Sequence, residues 1–487
     1  MNIFVDDPNI PIEEISGAIK KFTEQSPPAE LFPITLHPNQ YGFLFEELQS
    51  DPANLLNPIP FTARRLVRLG ASMVDAEPPD PDNDSRIPSG YTYLGQFIDH
   101  DITRHSLVPP VGEQTMPLSL EEIRRSVNLR TPGLDLDSLY GPAIESGTSY
   151  NVPRDPRNNK KLKLERMAGT PPTPELPRET NPPHPPFIGD RRNDQSLMGS
   201  QMHLAFMLAH NRLIDRGESF ETARQLLRRH YQWMVVHDYL FKVADPDIVN
   251  SVLNGTLNLF DPPDDATFIP LEFSVAGFRF AHSMIRDVYN YNQFFERARL
   301  FELFLPGFLV RYHHIPVDWL IDWRRFIDGR NMARRIDAKL ARGLTPIAGD
   351  GGLLRFGLAT LDLLRGYQLR VPTGEAVARR LGEPVLTIAD MLEAQAITPE
   401  QAELLVQGGF ESRTPLWFYV LVEAHVAGTG RLGRVGSKIV ASVVIGLARK
   451  SKDSYFRIKD WNPTLGTGSR FDLPDLFQLA GVLVNDD

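Results

Sequence analysis

The run Gly95-Gln96-Phe97-Ile98-Asp99-His100-Asp101 brings an amide, carboxyls and an imidazole together in a short stretch of chain. If it is helical, Gln96 and His100, four apart, share one face with Asp99 at its edge, while Phe97 and Ile98 point into packing. Such a face aims acid–base and hydrogen-bonding groups at one space. The alternative is an ordinary helix end in which Asp99 and Asp101 flank a hydrogen-bonded histidine. A second signal is Thr131-Pro132-Gly133-Leu134-Asp135-Leu136-Asp137. Oxygens at alternate positions can converge on a hard cation when the loop curls, with Gly133 offering its carbonyl and Asp101 as a further ligand; calcium fits irregular protein oxygens better than magnesium. An acidic surface loop explains the same residues. A third is Phe278-Arg279-Phe280-Ala281-His282-Ser283, where Arg279 and His282, three apart, put a guanidinium beside an imidazole in an apolar setting. That suits an axial histidine near an acidic cofactor group, or a core histidine with its bond satisfied.

The elements that must carry these groups read as mostly helical. From Phe61 onward, Leu204–Ile214, Ala223–Val243 and Ser437–Leu447 repeat apolar residues at spacings of three and four, and strand-like alternation is scarce. Trp319 and Trp323 read as part of a packed amphipathic helix. Residues 1–60 mix Pro, Asn and acidic residues with short apolar pieces and read as an extension packing on the body. Residues 151–188 are too rich in proline for helix interior and form a long extended connection. The chain has 487 residues, 42% of them hydrophobic, which is ample for a large core. A formal charge of -9 argues against nucleic acid as a partner. With 0 cysteines, disulfides, thiolate metal sites, iron–sulfur clusters and cysteine nucleophiles are excluded. No apolar run is long enough for a transmembrane segment, and the amino terminus does not read as a secretory signal. The expected compartment is the cytoplasm by default, with leaderless secretion compatible.

Taken together and in this order, the motifs resemble the animal-type haem peroxidases of the peroxidase–cyclooxygenase superfamily, bacterial-like members especially. GQFIDHDIT resembles the distal-histidine motif, TPGLDLDSLYG the calcium loop, GDRRNDQ the catalytic-arginine segment and FRFAHSMI the proximal-histidine helix. The resemblance implies a mainly α fold: one large helical catalytic domain over 61–487, with very little β structure and long wrapping loops. It also implies haem b and Ca2+ as cofactors. His100 would be the acid–base group, Gln96 would hydrogen-bond water or an anion above the haem, and Arg192 would stabilise charge on the breaking peroxide bond. His282 would bind iron; Asp101, Thr131, the Gly133 carbonyl, Asp135 and Asp137 would hold calcium. Hydrogen peroxide would be reduced through a ferryl intermediate, and a small donor oxidised.

Departures from the family pattern refine this. An asparagine usually accepts from the proximal histidine, three residues before an arginine; Asp362 and Arg365 have that spacing here. Asp362 is therefore the expected acceptor, its alternative being a helix carboxylate paired with Arg365. Haem ester links would use Asp99 and the position of Gln195; Gln195 cannot form one, so at most one link, through Asp99, is expected. Ser196 stands where a methionine would give a sulfonium link. Iodide, bromide, thiocyanate or phenols are thus the expected donors, rather than chloride. The alternatives are a fatty-acid dioxygenase or cyclooxygenase-like oxygenase, whose radical tyrosine position holds Arg279 here, and a non-catalytic haem-binding protein. His203 and His210, seven apart on an apolar helix, read as structural residues rather than a zinc pair.

Overall fold

A computed structural model describes residues 40–75, 83–106, 109–141, 152–263, 267–300, 309–345, 356–451 and 453–483. Residues 1–39 of the expected extension lie outside these. Helices dominate, and every sheet among the described residues is two-stranded. The periodic segments all become helix: Leu197–Asp215, Arg434–Lys450, and Phe220–Met234 continuing through a π segment, Val235–Tyr239, into Leu240–Val243. Among the described residues no helix is long and apolar enough to cross a membrane.

The helix Leu416–Ala427 is apolar on nearly all sides and buried accordingly. Against it lies the short 3-10 helix Gly277–His282, which also touches Gly90–Ile102 and Arg434–Lys450. The expected proximal helix is therefore a tight 3-10 turn and not an α-helix. In that geometry residues three apart eclipse, so Arg279 and His282 stay on one side. The amphipathic helix expected around Trp319 and Trp323 is absent: Val317–Trp319 and Trp323–Phe326 are separate 3-10 turns. Asp322 starts the second by accepting from Arg324 N at 3.2 Å, which breaks any continuous helix between the tryptophans.

Residues 41–45 contact later segments of the chain. Tyr41–Gly42 pairs in parallel with Ile269–Pro270, and the buried Glu272 carboxylate accepts the backbone N–H groups of Leu44 (2.8 Å) and Phe45 (3.1 Å). Helix Pro60–Ser72 lies on Leu358–Gln368 so closely that a Cβ on Gly70 would come within 2.6 Å of the Thr360 Cα. That contact fixes the helix bearing Asp362. The proline-rich stretch is extended, as expected, in short pairs such as Arg154–Asp155 with Asn158–Leu162. Its buried Arg178 binds Asp194 (2.6 Å) and Glu175 (2.9 Å), which clamps it against the segment containing Arg192.

The helix Gly90–Ile102 is buried along almost its whole length. Gly95 allows it to meet the π segment, since a Cβ there would lie 2.5 Å from the Tyr239 hydroxyl, itself fully buried. Gly95→Ala should lower unfolding free energy by about 1–3 kcal/mol through overpacking. In denaturant titration, Gly95→Ala combined with Tyr239→Phe should recover part of that loss; equal stability of Gly95→Ala and wild type would refute the close contact.

Candidate functional site

Gln96, Asp99 and His100 lie on the helix Gly90–Ile102, as the spacing predicts. His100 is buried, and its Nδ1 lies 2.7 Å from Asn193 Oδ1. Its Nε2 has no partner among the described residues. Burial first, then the nearby Arg192 charge, pushes its pKa down to about 4, so the ring is neutral at physiological pH. Gln96 is half-buried one turn earlier.

Arg192 sits in the 3-10 turn Arg191–Asp194. Its Nη2 donates to the carbonyls of His100 (3.0 Å) and Thr103 (2.7 Å), at the C-terminal end of the His100 helix, where a cation is favoured. The fully buried Asp190 carboxylate accepts from both Arg192 and Arg130. Burial opposes its charge, yet Arg130 and Arg192 together hold Asp190 well below the usual carboxylate range. Gln195 and Ser196 follow: Gln195 is half-buried, and the Ser196 hydroxyl caps Leu197–Asp215 by accepting from Gly199 N at 3.0 Å.

On the facing element, His282 Nδ1 lies 2.6 Å from Asp362 Oδ2 across 80 residues of sequence. The alternative for Asp362, an ion pair with Arg365, is not formed; Arg365 donates instead to the Pro109 carbonyl at 2.9 Å. His282 Nε2 has no partner among the described residues. Arg279 joins the two sides, with Nη1 3.2 Å from Asp99 Oδ2 and Nε donating to the Ser274 carbonyl. Asp99 Oδ1 also accepts from the Thr103 hydroxyl at 3.0 Å. Burial works against the charge of Asp99, but Arg279 foremost, then His100 and Arg192, hold its carboxyl below the ordinary value.

These residues fit a haem. Each histidine has Nδ1 bonded and Nε2 open, the donor chemistry of an iron-binding or substrate-facing imidazole. Arg365 is pushed down to about 10 by burial and then by the Arg279 guanidinium. A site that sets two cations against each other suits an anionic group placed between them.

The calcium set assembles only in part. Asp101 and Asp137 are buried: burial first and then the Asp137 carboxyl push Asp101 up to about 7, and burial followed by the Asp135 carboxyl raises Asp137. Asp101 is already satisfied by protein, accepting from Leu136 N (3.1 Å), Ser138 N (3.0 Å) and the Ser138 hydroxyl (3.2 Å). Asp137 accepts from Thr131 N at 2.9 Å. Asp135 turns its carboxyl to Ser451 and its carbonyl to Arg228, while Gly133 lies under that carboxyl. Among the described residues no group of three or more His, Cys, Asp and Glu side chains could hold a metal ion. Arg228 holds the Asp135 carbonyl, and backbone N–H groups of the loop bond the Asp101 and Asp137 carboxyls.

Sequence reasoning missed Asn193, Asp190, Arg130 and the role of His203, whose Nδ1 lies 3.0 Å from Asn193 Nδ2. His210 is structural as expected, held by the Tyr140 hydroxyl at 2.9 Å and the Lys160 carbonyl at 3.2 Å.

The helical fold is similar to those of solved proteins. Peroxidase A from Dictyostelium discoideum superposes with a TM-score of 0.58 at 16% identity, covering 82% of this chain and 87% of that one. A fatty acid alpha-dioxygenase from Oryza sativa gives 0.56 at 14% identity, covering 92% and 78%. In sequence, a profile of the animal haem peroxidase family matches residues 109–366, just over half of the chain, and the chain belongs to that family. The matched stretch contains Arg192, His282 and Asp362, whereas His100 precedes it. Two curated relatives are a peroxidase-like protein from Margaritifera margaritifera, 23% identical over 43% of this chain, and peroxidase mlt-7 from Caenorhabditis elegans, 22% identical over 50%. The aligned parts make up 33% and 39% of those relatives' own lengths.

Asp190→Asn keeps the shape of the carboxyl and removes its charge from two buried guanidinium groups. Loss of a buried partner of this kind should cost about 3–5 kcal/mol. Chemical denaturation checks it, and a change below about 1 kcal/mol would show that Asp190 does not carry the Arg130–Arg192 cluster.

Proposed function

We propose that the protein is a haem peroxidase that reduces hydrogen peroxide and oxidises small donors such as iodide, bromide, thiocyanate or phenols. One body spanning 61–487 carries the activity, with 1–60 as an extension. The observation that carries this reading is the pair His100 and His282, each bonded through Nδ1 and each left with a free Nε2.

In this reading His282 would hold the haem iron through its free Nε2. Asp362 accepts the Nδ1 hydrogen, keeps that tautomer and makes the ring a stronger donor. Arg279 and Arg365 would hold the acidic groups of the cofactor. Asp99 would be the residue for a single ester link, which would need its carboxyl to leave Arg279 and peroxide to supply the two-electron oxidation of the haem methyl. Haem, when bound, would supply the two electrons that cleave the O–O bond, and donors would then return those electrons.

The chain does the rest. His100, a free base down to about pH 4, takes a proton from the peroxide oxygen and returns it to the departing oxygen, so that water leaves and not hydroxide. Arg192 is always charged; it keeps His100 neutral and stabilises negative charge developing on the peroxide. Gln96 orients water or an anion from one turn away. Asp101 ties the His100 helix to the loop by accepting from Leu136 N and Ser138 N, and calcium, where bound, would strengthen that tie. Three residues before His282, Arg279 is engaged with Asp99, which leaves that position without the tyrosine an oxygenase would use.

Stopped-flow spectra of the haem-loaded protein mixed with peroxide test the proposal. The second-order rate constant should be flat at neutral pH and fall only as His100 gains a proton near pH 4. His100→Ala should slow the step by about 100-fold or more, and Arg192→Ala by a comparable factor. A Soret band that ignores peroxide would refute the reading.

A further inference from the structure

The side chain of Asn193 stands between two imidazoles, His100 on one side and His203 on the other. Asn193 Oδ1 lies 2.7 Å from His100 Nδ1, and Asn193 Nδ2 lies 3.0 Å from His203 Nδ1. A carbonyl oxygen only accepts, so His100 carries its hydrogen on Nδ1 and keeps a lone pair on Nε2. An amide NH2 only donates, so His203 Nδ1 is an acceptor and its hydrogen is on Nε2. All three side chains are buried, and His203 Nε2 has no hydrogen-bond partner among the described residues. Burial pushes His203 down to about 3, which keeps that ring neutral.

The amide could be satisfied only one other way. Turned over, it would donate to His100 and accept from His203, and both imidazoles would have to switch tautomer together. His100 would then present an N–H from Nε2, which cannot take a proton from peroxide. We infer that Asn193 is the positioning residue that holds His100 as the Nδ1–H tautomer, and that His203 fixes which way round the Asn193 amide sits. This rests on the peroxidase reading and adds to it a residue pair that touches neither peroxide nor cofactor. Backbone geometry holds Asn193 in place. Its N–H donates to the Asp190 carbonyl at 3.1 Å, and its own carbonyl packs where a Cβ on Gly199 would be. The charged groups facing His100 are Asp99 on its own helix and Asp190 and Arg192 from the neighbouring turn, with Arg279 reaching it through Asp99.

The test measures cyanide association with the ferric, haem-loaded protein against pH, because neutral hydrogen cyanide must pass its proton to the same base without any turnover. Peroxide reaction rates and thermal melting are read in parallel. Asn193→Leu should retain the Soret band and slow cyanide association by about 100-fold. Asn193→Asp should restore the plateau rate, since a carboxylate accepts the same Nδ1 hydrogen, and should move the acid limb upward by about one pH unit or more by stabilising the imidazolium. His203→Leu, which frees the amide to turn, should slow association by about tenfold. Wild-type rates in Asn193→Leu would overturn the inference. So would an Asn193→Asp variant with an unmoved acid limb, which is what a packing role alone produces and which decides the matter even if Asn193→Leu does not fold. If the wild-type protein itself takes up haem but neither cyanide nor peroxide, the peroxidase reading falls and the inference with it; normal wild-type rates with unaffected variants would sink the inference alone.

Discussion

An imidazole bonded through Nδ1 has only Nε2 left to offer, and this constraint on His100 and His282 governs the architecture around them. The acceptors come from far along the chain: Asn193 lies 93 residues after His100, and Asp362 lies 80 after His282. Holding each acceptor within hydrogen-bond distance requires rigid packing behind it. Gly70 brings Pro60–Ser72 onto the Asp362 helix, and Gly95 lets Tyr239 of the π segment brace the His100 helix. The buried Asp190 gathers Arg130 and Arg192 at the end of that same helix.

Electrostatics separates the two histidines. His100 is surrounded by burial and the Arg192 charge, which favour the neutral ring, the form that can accept a proton. His282 instead faces a carboxylate, the stronger acceptor, which favours electron donation through Nε2. The Asp99–Arg279 pair spans the gap between the two elements and keeps both side chains oriented. One kind of side chain thereby meets two different acceptors, a neutral amide at His100 and a carboxyl at His282.

Much of this was legible in the sequence because it is local. The Gln96–His100 face follows from helical periodicity, and the Asp362–Arg365 spacing, set against the family pattern the motifs resemble, pointed to an acceptor for His282. What was not legible depends on contacts between distant segments. Asn193 follows Arg192 directly, yet nothing in its neighbours says that its amide bridges two histidines. His203 read as structural because periodicity shows only that it faces inward. The calcium loop shows a related limit: alternate oxygens suggest a cage, but the sequence does not say that Arg228 bonds the Asp135 carbonyl or that the loop's own Leu136 and Ser138 N–H groups bond Asp101. The 3-10 turn at His282 and the split turns at Trp319 and Trp323 are likewise set by tertiary packing and capping, and apolar periodicity alone does not distinguish them from α-helix.

The central claim is that His282, aligned by Asp362, is the residue through which the protein holds haem. Spectrophotometric titration of the purified protein with haem, for wild type and for His282→Ala with and without added imidazole, tests it most directly. The account predicts a ferric Soret band near about 400 nm in the wild type, its loss or marked shift in His282→Ala, and its recovery when imidazole fills the space. An unchanged haem spectrum and affinity in His282→Ala would contradict it.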